Sequence, residues 1–367
     1  MNVKRLARNS FPFNLLFLNI FILAPSTIPA QEKLSKGPVI QNVQTDRATV
    51  KWVTAKTVGE LRKEGGTAST AVEEPIFHEV ELTGLEVGTP YQYDLRKYGI
   101  DAQVSFTTAP LGDKPFSFIV FGDNRTRHDV HKKVVERILP EKPQFVLNTG
   151  DLVSNGMNPG DWDKFFEIEK DLLRNVPYYP VLGNHERNAP VFSKYFSFPG
   201  GNSYRYSFDW GNAHFIGLDS DQFGSSLFAE MQDWLKEDLQ RTKKPFIFVF
   251  FHHPLYSAVE RRTTSATKLA EKLEPLLLAE GVTAVFNGHD HNYQHHLHAG
   301  LHHIVTGGGG APLYDVSPIP NITLKAVKTE NYVRVHIEGG KAHLEAVDLE
   351  GKILDSFDLE PRPKTKN

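Results

Sequence analysis

The chain has 367 residues, 40% hydrophobic and 23% charged, with a net charge of −3. That leaves room for two or three domains of about 100–200 residues each, excludes a disordered or fibrous protein, and gives no support to a nucleic-acid binder working through a broad basic surface. There is no cysteine, so disulfides, thiol nucleophiles and zinc–thiolate sites are excluded, and the sixteen histidines, seven of them between His289 and His303, leave imidazole as the soft metal ligand.

Lys4, Arg5 and Arg8 precede a fourteen-residue apolar stretch, Phe11 to Ala24, followed by Pro25, Pro29 and Ala30. A basic start, a short apolar middle and a small exit residue form the order of a secretory signal. The stretch contains Asn14 and Asn19, and a spanning helix needs about 20 apolar residues. Residues 1–30 are expected to be a signal peptide, with a retained N-terminal anchor as the alternative. Cleavage removes three positive charges and no negative ones, taking the net charge from −3 to −6. No other segment reads as a membrane span, so the mature protein is expected to be secreted or periplasmic.

From 37 to 109 the pattern is short strands and turns. Ala48–Val53 and His78–Leu82 alternate apolar and polar residues, as half-buried strands do. The polar middle, Thr57–Glu74, reads as a loop or an edge hairpin. Leu85 stands six residues before Tyr91 with a glycine turn between them, the pattern of a tyrosine corner. This segment resembles a shortened fibronectin type III domain, an all-β immunoglobulin-like sandwich, and no cluster in it could do chemistry.

From Pro115 the grammar becomes strand, loop, helix. Apolar runs at Phe116–Phe121, Phe145–Asn148 and Tyr179–Leu182 end in polar loops, and further runs are His214–Leu218, Phe246–Phe251 and Thr283–Phe286. Over 227–239, Leu227, Phe228, Met231, Trp234, Leu235 and Leu239 share one helical face and are expected in the core. Such alternation means an α/β domain over 115–330 with its chemistry at the carboxyl ends of strands. Residues 331–360 read as a β meander closing that domain, and 361–367 as a frayed tail.

Five blocks fall where strands end: Gly122-Asp123-Asn124-Arg125, Gly150-Asp151, Gly183-Asn184-His185-Glu186, His252-His253-Pro254 and Gly288-His289-Asp290-His291. Each alone is weak, since Gly-Asp is usually a turn and a lone histidine usually structural. Five in succession, each offering a carboxylate, amide or imidazole, suit divalent ions. A carboxylate such as Asp151 can bridge two ions about 3.5–4 Å apart, the spacing of two-metal hydrolytic sites.

These blocks resemble the calcineurin-like metallophosphoesterase superfamily and, with the N-terminal sandwich, its purple-acid-phosphatase-like branch. The resemblance implies mixed β-sheets flanked by helices and two metal ions from among Fe, Mn and Zn. Asp123 and His291 would hold the first ion, Asp151 would bridge, and Asn184, His252 and His289 would complete the second. A water between the ions would attack the phosphorus of a small-molecule phosphoester. His185 would be the catalytic and substrate-binding histidine, stabilising charge or protonating the leaving group. The activity implied is an acid-phosphatase-like phosphomonoesterase. The alternatives are a phosphodiesterase or nucleotide hydrolase with the same centre, or a non-catalytic metal-binding homologue.

The sequence departs from that pattern twice. Purple acid phosphatases have a tyrosine three residues after the bridging aspartate, and here it is Ser154, so tyrosinate ligation and purple colour are not expected. The wider superfamily often has histidine two residues after the first aspartate, and here it is Arg125, which either grips substrate phosphate or forms a structural ion pair. Asn124 or water is then left to fill the first ion's coordination. His295, His296 and His298 offer one possible substrate contact, while His302 and His303 read as scaffold. His253 should face away if its strand alternates. Glycines 307–310 lack the Lys-Ser/Thr of a nucleotide loop and suit close backbone packing. Of two glycosylation patterns, at Asn124 and Asn321, the first would put a glycan in the proposed pocket. Loops 221–226, 256–264 and 314–327 are expected to govern substrate choice.

Overall fold

The computed structural model describes residues 4–5, 33–62 and 69–365. Apart from Lys4 and Arg5, the expected signal peptide lies outside the described residues, as do Lys366 and Asn367. Among the described residues no helix is long and apolar enough to cross a membrane.

The N-terminal region carries β1 (Lys4–Arg5), β2 (Lys33–Gln41), β3 (Arg47–Arg62), β4 (Ser69–Thr83), β5 (Pro90–Asp94) and β6 (Gln103–Thr107). They form two antiparallel sheets, β2-β3-β4 and β1-β5-β6. Of the expected loop or hairpin Thr57–Glu74, residues 57–62 and 69–74 lie on the paired strands β3 and β4, and 63–68 lie outside the described residues. Tyr91 is buried, and its hydroxyl accepts the Glu86 backbone N–H at 2.8 Å, tying the turn to the strand.

The remaining strands are β7 (Phe116–Phe121), β8 (Phe145–Asn148), β9 (Tyr178–Pro180), β10 (Arg205–Trp210), β11 (Ala213–Leu218), β12 (Phe246–Phe250), β13 (Ala284–Asn287), β14 (Tyr293–His298), β15 (Leu301–Thr306), β16 (Thr323–Val327), β17 (Tyr332–Glu338), β18 (Lys341–Val347) and β19 (Ile353–Leu359). The helices are α1 (His128–Ile138), α2 (Pro159–Asn175), α3 (Val191–Tyr195), α4 (Ser226–Arg241) and α5 (Thr263–Ala279). One sheet has the order β19-β18-β17-β7-β8-β9 and the other β10-β11-β12-β13-β15-β14-β16.

The two sheets face each other through aromatic side chains, and β12 shows how the sequence arranges this. Phe246, Phe248 and Phe250 join the core between the sheets, while Ile247, Val249 and Phe251 join a second core with Met231 and Leu235 of α4 and Leu269 and Leu273 of α5. A strand covered on both faces reads as a continuous apolar run. Across the gap, Phe118 of β7 meets the rings of Phe215, Phe248 and Phe286 edge-on at 5.1–6.2 Å between centroids.

Several expectations are corrected. Leu227 lies on the solvent side of α4 at 40% exposure, because the apolar stripe that meets the sheet runs through Phe228, Met231, Leu235 and Leu239. Loop 314–327 ends in β16, an edge strand paired with β14. Residues 361–365 are pinned: Arg362 donates to the Val282 carbonyl at 2.8 Å and the Thr365 N–H to the Ala279 carbonyl at 2.9 Å. The meander enters the sheet itself, with β17 antiparallel to β7.

Candidate metal centre

Strands β7, β8 and β9 are mutually parallel, as are β11, β12, β13 and β15. Their carboxyl ends place Asp123 after β7, Asp151 after β8, Asn184 and His185 after β9, His252 after β12, and His289 and His291 after β13. Asp123, Asp151 and His289 have φ of 56°, 56° and 67°. Left-handed backbone at a residue other than glycine costs about 1–3 kcal/mol and persists where its surroundings fix it. Here the Asp123 N–H donates to the Gly150 carbonyl at 2.9 Å, and the Asp123 Oδ2 accepts the His289 N–H at 2.7 Å. Gly150 has φ of 95°, and a Cβ on Gly183 would run into the Asp151 carboxylate. Glycines 307–310 allow the close packing expected of them: the Gly309 N–H reaches the Gly122 carbonyl at 3.0 Å, and Gly307 abuts Asp123 Oδ2 and the Asp290 carbonyl.

The donor atoms converge. His252 Nδ1 donates to the Thr149 carbonyl at 2.9 Å, so Nε2 is the nitrogen turned to the cluster: 3.2 Å from Asn184 Oδ1, 3.1 Å from His289 Nδ1 and 3.5 Å from Asp151 Oδ1. His291 Nδ1 donates to the Pro312 carbonyl at 2.6 Å, leaving Nε2 3.4 Å from Asp123 Oδ1. That carboxylate oxygen is buried without a hydrogen-bond partner. Two groups result whose ligand atoms all lie within 4.8 Å of one another, His252 with His253 and His289, and Asp123 with Asp151 and His291. Imidazoles anchored at Nδ1, a mixed oxygen and nitrogen set and an orphaned carboxylate oxygen fit divalent Fe, Mn or Zn.

Electrostatics follow from burial and from these neighbours. Burial works to raise the pKa of Asp123, but His291, His252 and Arg125 outweigh it and hold it low. Burial would lower that of His252, yet Asp151, Asp123 and Asp221 raise it. For His289 burial prevails, helped by the neighbouring His252, and its pKa is lowered.

His185 is 28% exposed. Its Nδ1 donates to the Ser154 carbonyl at 2.8 Å, so Nε2 faces the centre, 3.9 Å from Asp151 Oδ2. Arg125 donates from Nε to Asp151 Oδ2 at 3.2 Å, the ion-pair arm of the two readings for this residue. Asn124 is fully buried and turned away: its Oδ1 accepts from Asn148 at 3.0 Å, and its Nδ2 lies 3.1 Å from His131 Nε2. Its side chain is therefore available neither to an ion nor to a glycan. His295, His296 and His298 also turn away, to Asp355, Thr323 and Glu274.

Two residues take roles that the sequence reading did not give them. The buried carboxylate of Glu186 accepts the backbone N–H groups of Asp151, Leu152, Val153 and Gly183 at 2.7–3.3 Å, fastening the Asp151 loop to the Gly183 loop. Burial and the Asp151 charge push its pKa up against the pull of those N–H groups. Its signal was the last position of Gly-Asn-His-Glu. His253 does not face away: its ring lies 4.3 Å from that of His289, with Nδ1 2.9 Å from Ser220 Oγ. Strand β12 ends at Phe250, so alternation no longer governs the histidine doublet. Burial first, and then His252, lower the His253 pKa to about 3.

The calcineurin-like phosphoesterase family model matches residues 116–293, the span that holds every one of these donors. Over that span the chain is similar to calcineurin-like phosphoesterases. Its relatives include purple acid phosphatase 15 of Arabidopsis thaliana, 26% identical over 60% of this chain and 49% of the relative, and mouse tartrate-resistant acid phosphatase type 5, 27% identical over 64% and 84%. The chain spans about half the length of the plant relatives. A purple acid phosphatase from yellow lupin seeds shares the fold, with a TM-score of 0.69 at 18% identity over 89% of this chain and 73% of that one. The two donor groups are candidates to hold metal ions.

Proposed function

We propose that the chain is an exported, metal-dependent phosphomonoesterase of acid-phosphatase type. The observation that carries this reading is the convergence of Asp123, Asp151, Asn184, His252, His289 and His291 at one strand rim, with His185 beside them. Asp123 and His291 would hold one ion, Asn184, His252 and His289 the other, with Asp151 bridging. Bound there, two cations acidify a water and offset charge on the phosphoryl oxygens. His185, fixed by the Ser154 carbonyl, carries on Nε2 the proton that the leaving alkoxide takes up. Arg125 contributes positive charge that favours a dianionic monoester over a singly charged diester. We further read 37–109 as a fibronectin type III-like module, supported by the Tyr91 tie, and residues 1–30 as a cleaved signal.

The test is hydrolysis of p-nitrophenyl phosphate and of its bis-ester by the protein starting at Gln31. Stripped protein would be reconstituted with Mn²⁺, Fe²⁺ or Zn²⁺. Monoester turnover that chelator removes and metal restores is expected. A preference for the bis-ester would replace the monoesterase by a phosphodiesterase, and no turnover with any ion would reject the hydrolase.

A further inference from the structure

We propose that Arg125 is a built-in cation that competes with the first metal ion, so that the two ions load in order and substrate phosphate draws the second one in. This rests on the dinuclear reading above. The guanidinium spans two of the three donor atoms of the Asp123 group: Nε donates to Asp151 Oδ2 at 3.2 Å, and Nη2 lies 3.4 Å from His291 Nε2, the ring nitrogen left open by the Pro312 carbonyl. An ion bound by Asp123, Asp151 and His291 needs those same atoms. Beside the His252 and His289 group the cation is Arg262, which donates to the His289 backbone carbonyl and pairs with Asp290 rather than with a ring nitrogen, so that group fills first.

The placement of Arg125 is enforced. Its side chain is 13% exposed, and a guanidinium does not shed its proton, so the charge stays in the site as a cation. The third arm, Nη1, donates to Thr126 Oγ1 at 3.1 Å, and Thr126 has φ of 77°. A β-branched residue with left-handed backbone is a strained one. Thr126 Oγ1 in turn lies 3.4 Å from Ser154 Oγ, and Ser154 holds His185 through its carbonyl. With one divalent ion present, that ion and Arg125 already exceed the charges of Asp123 and Asp151 by one. A second divalent ion raises the excess to three, which an anion such as phosphate offsets. Arg125 then leaves Asp151 for the phosphate, and the reading of it as a phosphate grip and the reading of it as an ion pair describe two steps of one cycle.

The experiment titrates Mn²⁺ into the stripped full chain, with bound ion counted by equilibrium dialysis and the coupled pair detected by electron paramagnetic resonance. The unsubstituted protein is expected to bind two ions with dissociation constants at least about tenfold apart. Inorganic phosphate should tighten the weaker step. In Arg125→Gln, which keeps side-chain bulk without charge, that step should tighten about tenfold without phosphate and lose most of its phosphate response. Arg125→Ala serves as a second variant, and melting temperatures confirm that both fold. Unchanged constants in both variants overturn the proposal. Failure of every protein to take more than one ion, with or without phosphate, overturns the dinuclear reading beneath it.

Discussion

The chain has two histidine-rich regions with opposite uses of the same side chain. At the strand rim, His252 and His291 each give Nδ1–H to a backbone carbonyl, and Nε2 is left facing carboxylates. On the β14–β15 hairpin the imidazoles are consumed by one another and by acids: His295 lies between Asp355 and His302, and Glu274 gathers His298, His303 and the Tyr256 hydroxyl at 2.8–3.1 Å. At the rim a carbonyl anchor on Nδ1 of His252 and of His291 fixes the tautomer and turns Nε2 to the cluster, whereas on the hairpin the anchors of His295, His298 and His303 are carboxylates. Counting histidines would have favoured the hairpin. What separates the regions is the partner of each ring nitrogen.

The comparison predicts which substitutions harm chemistry and which harm stability. The largest effect is expected at the rim, where Asp151→Asn or His252→Ala should cut phosphatase activity on the order of 10³-fold and lower bound metal, measured together by kinetics and elemental analysis. His185→Ala should cost at least about 10²-fold in turnover while metal content stays unchanged, which separates it from the ligands. On the hairpin, Glu274→Gln should leave metal content intact but cost about 2 kcal/mol in chemical denaturation, since a buried acceptor of three hydrogen bonds becomes a poor one. If that variant instead loses metal, the division between the two regions fails.

The smallest effects are in pH dependence, and two histidines away from the rim should act in opposite directions. Burial works to lower the pKa of His214, but Asp209 and Asp238 at 2.6 and 2.8 Å raise it. Its stabilisation is complete below the ordinary value of about 6.5 and fades as pH rises through the raised value. His296 on the hairpin is pushed by burial to about 3. As pH falls from about 6.5 toward that value, the unfolded chain takes up a proton that the folded site refuses, so stability drops. Melting temperatures across this range should show His214→Gln losing stability mainly on the acid side. His296→Gln should show a shallower acid slope. Equal slopes for all three proteins would remove the assigned partners as the cause.

The strands that carry the rim were legible because they are buried on both faces and end abruptly in Gly-Asp, Gly-Asn-His and Gly-His-Asp-His. The tie between turn and strand in the all-β N-terminal region was legible in Leu85 and Tyr91. Less legible were features set by contacts across the chain. Arg125 meets Asp151 and His291, Glu186 reaches four backbone groups on two loops, and Arg362 finds the Val282 carbonyl. None of these pairings has a local period. Leu227 was misplaced for a different reason: a helical stripe defines a face but not its edges, and the sheet covers only part of it.

Asp123 stands at the end of β7, which is flanked by β8 on one side and β17 on the other. Val120 and Phe118 pair with Val333 and Val335, so the strand under the first aspartate is completed by residues translated long after His291. All six donors have emerged from the ribosome before the sheet that shapes them can close. A chain ending short of Tyr332 would contain every donor but leave β7 without one of its two neighbours. If the protein is threaded across a membrane from its N-terminus, folding finishes on the far side, and the ions it captures are those of the compartment it enters.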